Sequence, residues 1–227
     1  MSRRIRLPFK TLQIPINTWA LIQLWGVINT IRSKLAPPHH FRVTIWGSKR
    51  PKPDSAIYQA VFLLCKRLAE LGIDILTGGG PGIMEAANAG AKAGGKGQSL
   101  GLRIKLRGEP ANEYLDKIFH HETFPCRLDA FTWMSRVFIA LHPGVGTLLE
   151  VIYVWQLMKE GHLKGAVLIL VGEEWRGLLD WMDNGMAPHE NKRSQELGNF
   201  YHLQTLEEAE PIVLAAYEKY KIMRCAA

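Results

Sequence analysis

The stretch Val137-Phe138-Ile139-Ala140-Leu141-His142-Pro143-Gly144-Val145-Gly146-Thr147-Leu148-Leu149-Glu150 decides the fold. Its first five residues are an apolar run that reads as a buried strand, and its glycines then turn the chain directly into a helix from Thr147 to about Glu160. A strand that ends in glycine and passes straight into a helix presents unshielded backbone N–H groups at the positive end of a helix dipole. That arrangement suits a phosphate. The same order recurs upstream, where Ile73-Asp74-Ile75-Leu76 leads into Gly78-Gly79-Gly80-Pro81-Gly82-Ile83-Met84-Glu85 and a helix from about Gly82 to Ala93. Two such loops in one sheet imply that the chain holds a nucleotide. Helical spacing puts Gly146 and Thr147 at the start of the second helix and Glu150 about one turn in, on the face that looks back at the ligand.

Outward from these loops the chain alternates short β-rich runs with helical ones. Arg42–Trp46 reads as a first strand, followed by a helix over 55–71 with Asp54 as its N-cap. Ser99–Leu102 and Ile118–His120 read as further strands, and Val167–Val171 as the strand that closes the sheet before a Trp-rich helix, Trp175–Met186. Thr205-Leu206-Glu207-Glu208 has capping-box spacing and starts a last helix to about Lys221. Continuous apolar strands alternating with helices predict an α/β fold, a parallel sheet covered on both faces. Ligands then lie beyond the carboxyl ends of the strands, where both glycine loops fall.

At 227 residues and 47% hydrophobic, the chain is long enough for one full core with an appendage. The formal charge of +7 is unevenly spread. Residues 1–53 hold ten Lys or Arg and no acid, which leaves eighteen bases against twenty-one acids in the rest. The body is therefore slightly acidic, which argues against nucleic acid as a partner and against a DNA-processing protein of related topology. The division expected is a basic arm over 1–40, with an amphipathic helix from about Asn17 to Leu35, and a nucleotide-binding domain over 41–227. Trp19, Ile22, Trp25, Ile28 and Ile31 share one face of that helix. It packs on the body or a second subunit, or else it touches an anionic membrane surface peripherally. Three scattered cysteines, Cys65, Cys126 and Cys225, fit a reducing cytoplasm and no structural zinc.

No segment matches the dinucleotide fingerprint or the P-loop. The pairs His39-His40 and His120-His121 lack partners at metal-ligand spacing, so no metal is expected. Glu150, a carboxylate one turn into the helix, is the candidate for chemistry on the bound ligand. The N–H groups of Gly144, Gly146 and Thr147 are the expected phosphate cradle. Gly79, Gly80 and Gly82 would line the facing wall, with Ser48 and Glu85 as further candidates for the same pocket.

These segments resemble the LONELY GUY family of phosphoribohydrolases, whose members carry a Pro-Gly-Gly-x-Gly-Thr-x-x-Glu loop and an arginine at a fixed distance upstream. Aligned without a gap, His142–Glu150 falls on the loop and Arg127 on the arginine. Thr77–Asn88 and Trp175–Met182 are similar to blocks of the family's longer-chain branch. The resemblance spans about residues 42–190 and implies a Rossmann-like fold and a homodimer or higher homo-oligomer with sites near the interface. It also implies hydrolysis of a nucleoside 5′-monophosphate, such as adenosine monophosphate or a cytokinin riboside monophosphate, to free base and ribose 5-phosphate, with no cofactor. In that reaction positive charge builds on the ribose, and the resemblance implies that Glu150 stabilises it or takes a proton from water. It implies too that Arg127 holds Glu150 and the ribose or phosphate in register, since a planar guanidinium bridges two oxygens. The chain departs from the motif in reading His142-Pro143 for Pro-Gly and Leu128 for the lysine after the arginine. Those departures favour an alternative, a non-catalytic carrier of a nucleotide-linked cofactor such as molybdenum cofactor. Lysine decarboxylation, an older label for the family, would require a pyridoxal site, and no segment reads as one.

Overall fold

The computed structural model describes residues 40–104, 110–185 and 199–225. The expected arm helix, the span 105–109 and the end of the Trp-rich helix lie outside the described residues. The elements are β1 (Arg42–Gly47), α1 (Ala56–Glu70), β2 (Asp74–Thr77), α2 (Ile83–Gly94), β3 (Ser99–Ile104), β4 (Lys117–His121) and α3 (Phe124–Met134). Then come β5 (Val137–Leu141), α4 (Val145–Lys159), β6 (Val167–Val171), a 3-10 turn (Glu173–Trp175), α5 (Arg176–Asn184), β7 (Phe200–Leu203) and α6 (Ala209–Cys225). All seven strands are parallel, in the order β4-β3-β2-β1-β5-β6-β7. This is the Rossmann-like sheet expected, and its order reverses between β1 and β5, where such folds bind ligands.

Alternation along the strands feeds two cores. Val43, Ile45, Ile75, Ile139 and Ile169 pack under α1, α2 and α6, whereas Trp46, Leu76, Phe138, Ala140 and Leu168 pack under α3, α4 and α5. The helices thus fall three to a face.

Four expectations need correction. The N-cap of α1 is Ser55 rather than Asp54, because the Ser55 hydroxyl accepts from the Tyr58 amide at 3.4 Å. β6 does not close the sheet, since β7 pairs with it from Leu168 to Val171. The Thr205 segment forms a turn in which Glu208 accepts from the Thr205 amide at 2.9 Å, and α6 begins only at Ala209. A helix absent from the sequence reading, α3, carries Arg127.

Small residues let α2 lie directly on α1. A Cβ at Gly90 would stand 2.2 Å from the Phe62 carbonyl oxygen, and one at Gly94 2.5 Å from that of Lys66. Gly90→Ala is therefore expected to lower stability by about 1–3 kcal/mol through overpacking. Gly177→Ala on α5, where nothing lies within 4 Å of the new carbon, should be neutral or gain up to about 1 kcal/mol. Urea unfolding of the two variants beside the parent checks both signs.

Candidate active site

Thr123 and Pro125 start α3: the Thr123 hydroxyl accepts from the Cys126 amide at 3.4 Å, and its carbonyl from the Arg127 amide at 3.2 Å. Proline is suited to a first helical turn, where its missing N–H costs nothing. Leu128 and Phe131 bury into the core beneath, which turns Arg127 toward α4. There Arg127 Nη2 donates to Glu150 Oε1 at 2.9 Å. The guanidinium carbon also lies 5.3 Å from the Phe124 ring centroid and 5.8 Å from that of Phe131. Arg127 Nε is buried with no hydrogen-bond partner. A buried charged donor without an acceptor is costly, and a ligand oxygen would supply one.

Glu150 is 7% exposed. Burial pushes its carboxyl up from the ordinary carboxylate range while the Arg127 charge pulls it back, and the balance lies at about 7. A carboxyl poised there exchanges a proton near neutrality, the property required of a general acid or base.

The loop before α4 is an open cradle. Gly144 is the N-cap, with no side chain capping the helix, and its carbonyl accepts the first intrahelical bond from the Leu148 amide at 2.9 Å. The amides of Val145, Gly146 and Thr147 precede that bond and have no intrahelical acceptor. Nothing lies within 4 Å of where a Cβ would stand at Gly144 or Gly146. Position 142, proline in the family motif, has φ 44, the only positive φ outside glycine among the described residues. A proline ring forbids that value, so the departure at His142 changes the backbone path as well as the side chain.

The first loop is packed rather than open. The Gly79 amide donates to the Thr77 hydroxyl at 2.8 Å, while the Gly79 carbonyl accepts from Arg103 at 2.7 Å and from the Asn112 amide at 3.0 Å. The Gly80 carbonyl accepts from the Asn112 side chain at 2.9 Å. Gly82, at φ 71, is closed over by Ser48 and Lys49, whose backbone atoms a Cβ would meet at 2.6–2.7 Å, and Ser48 accepts the Ile83 amide at 3.1 Å. Met84 folds back over the turn, so that a Cβ at Gly78 or Gly80 would touch it at under 3 Å. Buried Asn88 pins the arrangement, accepting from Thr77 at 2.7 Å and Asn112 at 3.0 Å and donating to Ser99 at 2.9 Å.

Arg127 and Glu150 therefore come together as expected, and Gly144, Gly146 and Thr147 form one helix start. Gly79 and Gly82, expected with Gly80 to line the facing wall, are held in the left-handed turn of the first loop. Ser48 is turned to its own loop, with its hydroxyl accepting from the Arg50 amide at 3.2 Å. Glu85 sits with the α1 face of the sheet, where it accepts from the Tyr58 hydroxyl at 3.3 Å. Burial and this carboxylate push the Tyr58 phenol up to about 12. The sequence reading missed Gly78, where a Cβ would stand 3.7 Å from Arg127 Nη1, and the whole of α3. The Thr-x-Pro at 123–125 was the signal for that helix.

A parallel sheet with a buried carboxylate and an open helix start at its switch point defines an α/β protein of Rossmann-like architecture. The family described as "Possible lysine decarboxylase" matches residues 84–208. The chain belongs to that family, the one its two loops resemble. No curated protein matches the sequence significantly. Among solved structures, the molybdenum cofactor binding protein from Rippkaea orientalis is similar at 20% identity over 78% of this chain and 97% of that one, with a TM-score of 0.59. A molybdenum cofactor carrier protein from Chlamydomonas reinhardtii is similar at 21% identity, covering 80% of this chain and 99% of that one with a TM-score of 0.54. At these identities the likeness is one of fold.

Titration of Glu150 tests the electrostatics without reference to turnover. The carboxyl band assigned by difference with Glu150→Gln should titrate near pH 7. Arg127→Met removes the charge that lowers it and is expected to move the transition to higher pH.

Proposed function

We propose that the protein is a phosphoribohydrolase that cleaves the N-glycosidic bond of a nucleoside 5′-monophosphate, adenosine monophosphate or an N6-isoprenoid derivative of it. The observation that carries this reading is the buried Arg127–Glu150 pair, with a carboxyl balanced at about 7 beside an uncapped helix start. The 5′-phosphate rests on the amides of Val145, Gly146 and Thr147. Arg127 Nε supplies its donor to a ribose or phosphate oxygen. As the C1′–N bond breaks, its electron pair leaves with the base and positive charge grows on the ribose, which the Glu150 carboxylate stabilises. Water attacks C1′ while Glu150 accepts one of its protons. That proton passes to the departing base, and the remaining hydroxyl completes ribose 5-phosphate.

A second copy of the chain completes the enzyme in this reading. α4 is largely apolar, and its outward side leaves Val145 89%, Leu148 37% and Leu149 46% exposed. Helices of that composition are ordinarily buried. Val145 adjoins the phosphate cradle, and Phe124, over which Arg127 stacks, is exposed as well, so a dimer that covers both would shield the site from water.

The other reading, a carrier that binds a nucleotide-linked cofactor without cleaving it, is favoured by the altered backbone at His142 and by Leu128, which is buried where the family has lysine. Chromatography of nucleoside monophosphates for liberated base separates the two. Hydrolysis should rise with pH through about 7 as Glu150 ionises, and Glu150→Gln should lose about a hundredfold or more. Tight binding by calorimetry with equal background release from parent and Glu150→Gln would establish the carrier instead. Leu148→Lys with Leu149→Lys is expected to convert a dimer into a monomer in analytical ultracentrifugation, and a monomeric parent would refute the proposed interface.

A further inference from the structure

The amino end of the sheet, opposite the candidate active site, holds a groove of about 790 Å³ between α6 and the starts of β1, β5, β6 and β7. That volume lies within the range of small-molecule sites. Its walls are apolar: Phe41 and Tyr201 below the strands, and Ile212, Tyr220, Ile222 and Met223 along α6. Phe41 and Tyr220 meet at 5.3 Å between ring centroids, which seats α6 over the floor. Ile222 and Met223 are 69% and 64% exposed, a high exposure for two adjacent large apolar residues.

Three cations line the same groove, Arg136 before β5, Lys164 before β6 and Lys219 on α6, and among the described residues no acid does. The acids nearest in sequence are already engaged, Glu218 with Lys221 at 2.6 Å and Glu210 with Arg67 at 2.7 Å. Arg224 stacks over Tyr220 at 6.0 Å and adds positive charge at the rim. An apolar trough of one sign of charge concentrates a ligand of the opposite sign. The structure assigns this groove to a free single-chain amphiphile, one apolar tail bearing an anionic carboxylate or phosphate head. The tail lies along the α6 wall and the head meets the three cations. This site is independent of the chemistry at Glu150.

Calorimetry on the full chain with dodecanoate, dodecyl phosphate and dodecyltrimethylammonium, each below its micelle concentration, tests it. Both anions should saturate one site and the cation should not. Ala215→Trp fills the groove from an exposed position on α6, and Lys219→Glu reverses one of its charges; each is expected to weaken anion binding by about tenfold or more. Both positions are exposed, and should either variant fail to fold, the other carries the comparison. No saturable binding of either anion overturns the proposal, as does equal binding by the cation or undiminished binding in a folded variant. Flotation with phosphatidylglycerol vesicles in the absence of any binding of the monomeric amphiphiles would also overturn it, in favour of a membrane surface.

Discussion

The arrangement of the site depends on one constraint, a carboxylate and a guanidinium that share a nearly dry space. Glu150 and Arg127 are both largely buried and 2.9 Å apart, so neither charge has a satisfactory alternative to the other. The pair can form only if α3 and α4 are held at that distance. Residues on the same two helices provide for this: Phe131, Ala130, Val151 and Val154 share one core cluster, and the Tyr153 hydroxyl donates to Asp129 two residues on from Arg127. Burial and the Asp129 charge raise the Tyr153 phenol well above its ordinary range, which keeps it protonated as the donor. The geometry of two side chains beyond the sheet thus rests on packing beneath them.

The two glycine loops look alike in the sequence and do opposite things. In the first, φ values of 70 and 71 at Gly79 and Gly82 and close approaches from Met84, Lys49 and Leu115 spend every glycine on compactness. The Gly79 amide is taken by Thr77, and the Gly79 and Gly80 carbonyls by Arg103 and Asn112. In the second, Gly144 and Gly146 have open space around them, and the helix amides beyond them have no acceptor of their own. The closed loop positions Gly78 against Arg127, whereas the open loop leaves donors for a ligand.

This difference is why the site was only partly legible in the sequence. Glycine reports that a backbone needs freedom but not whether the freedom serves a turn or a ligand, so Gly79, Gly82 and Gly144 read alike. The strands were legible wherever both faces are buried, as in Val137–Leu141 and Val167–Val171. β7 was not, because Phe200-Tyr201-His202-Leu203 is an edge strand buried only partly at every position and lacks a continuous apolar run. α3 was obscured differently: its apolar residues are spread around its circumference, since Phe124 and Trp133 are exposed while Leu128 and Phe131 are buried. Periodicity therefore had little to detect, and only the Thr123 cap with Pro125 marked the start. Glu150 and Arg127 were legible because their separation in the chain matches the family motif, although the packing that makes them meet is a tertiary fact.

The family motif has proline and then glycine at 142 and 143, and here both are replaced, which on steric grounds ought to close the cradle. The backbone shows why it does not. At φ 44, His142 takes up the left-handed turn, a conformation that costs a residue with a side chain on the order of 1–3 kcal/mol. The ring contributes toward holding that turn, since its Nε2 lies 3.4 Å from Glu174 in the 3-10 turn that follows β6. Pro143 then needs only the φ that its own ring imposes, and Gly144 leaves it extended at φ −116. The strain is carried by a histidine braced by a carboxylate, and Gly144 and Gly146 keep open space around them. The loop therefore stays open by a backbone route that a proline at 142 could not take.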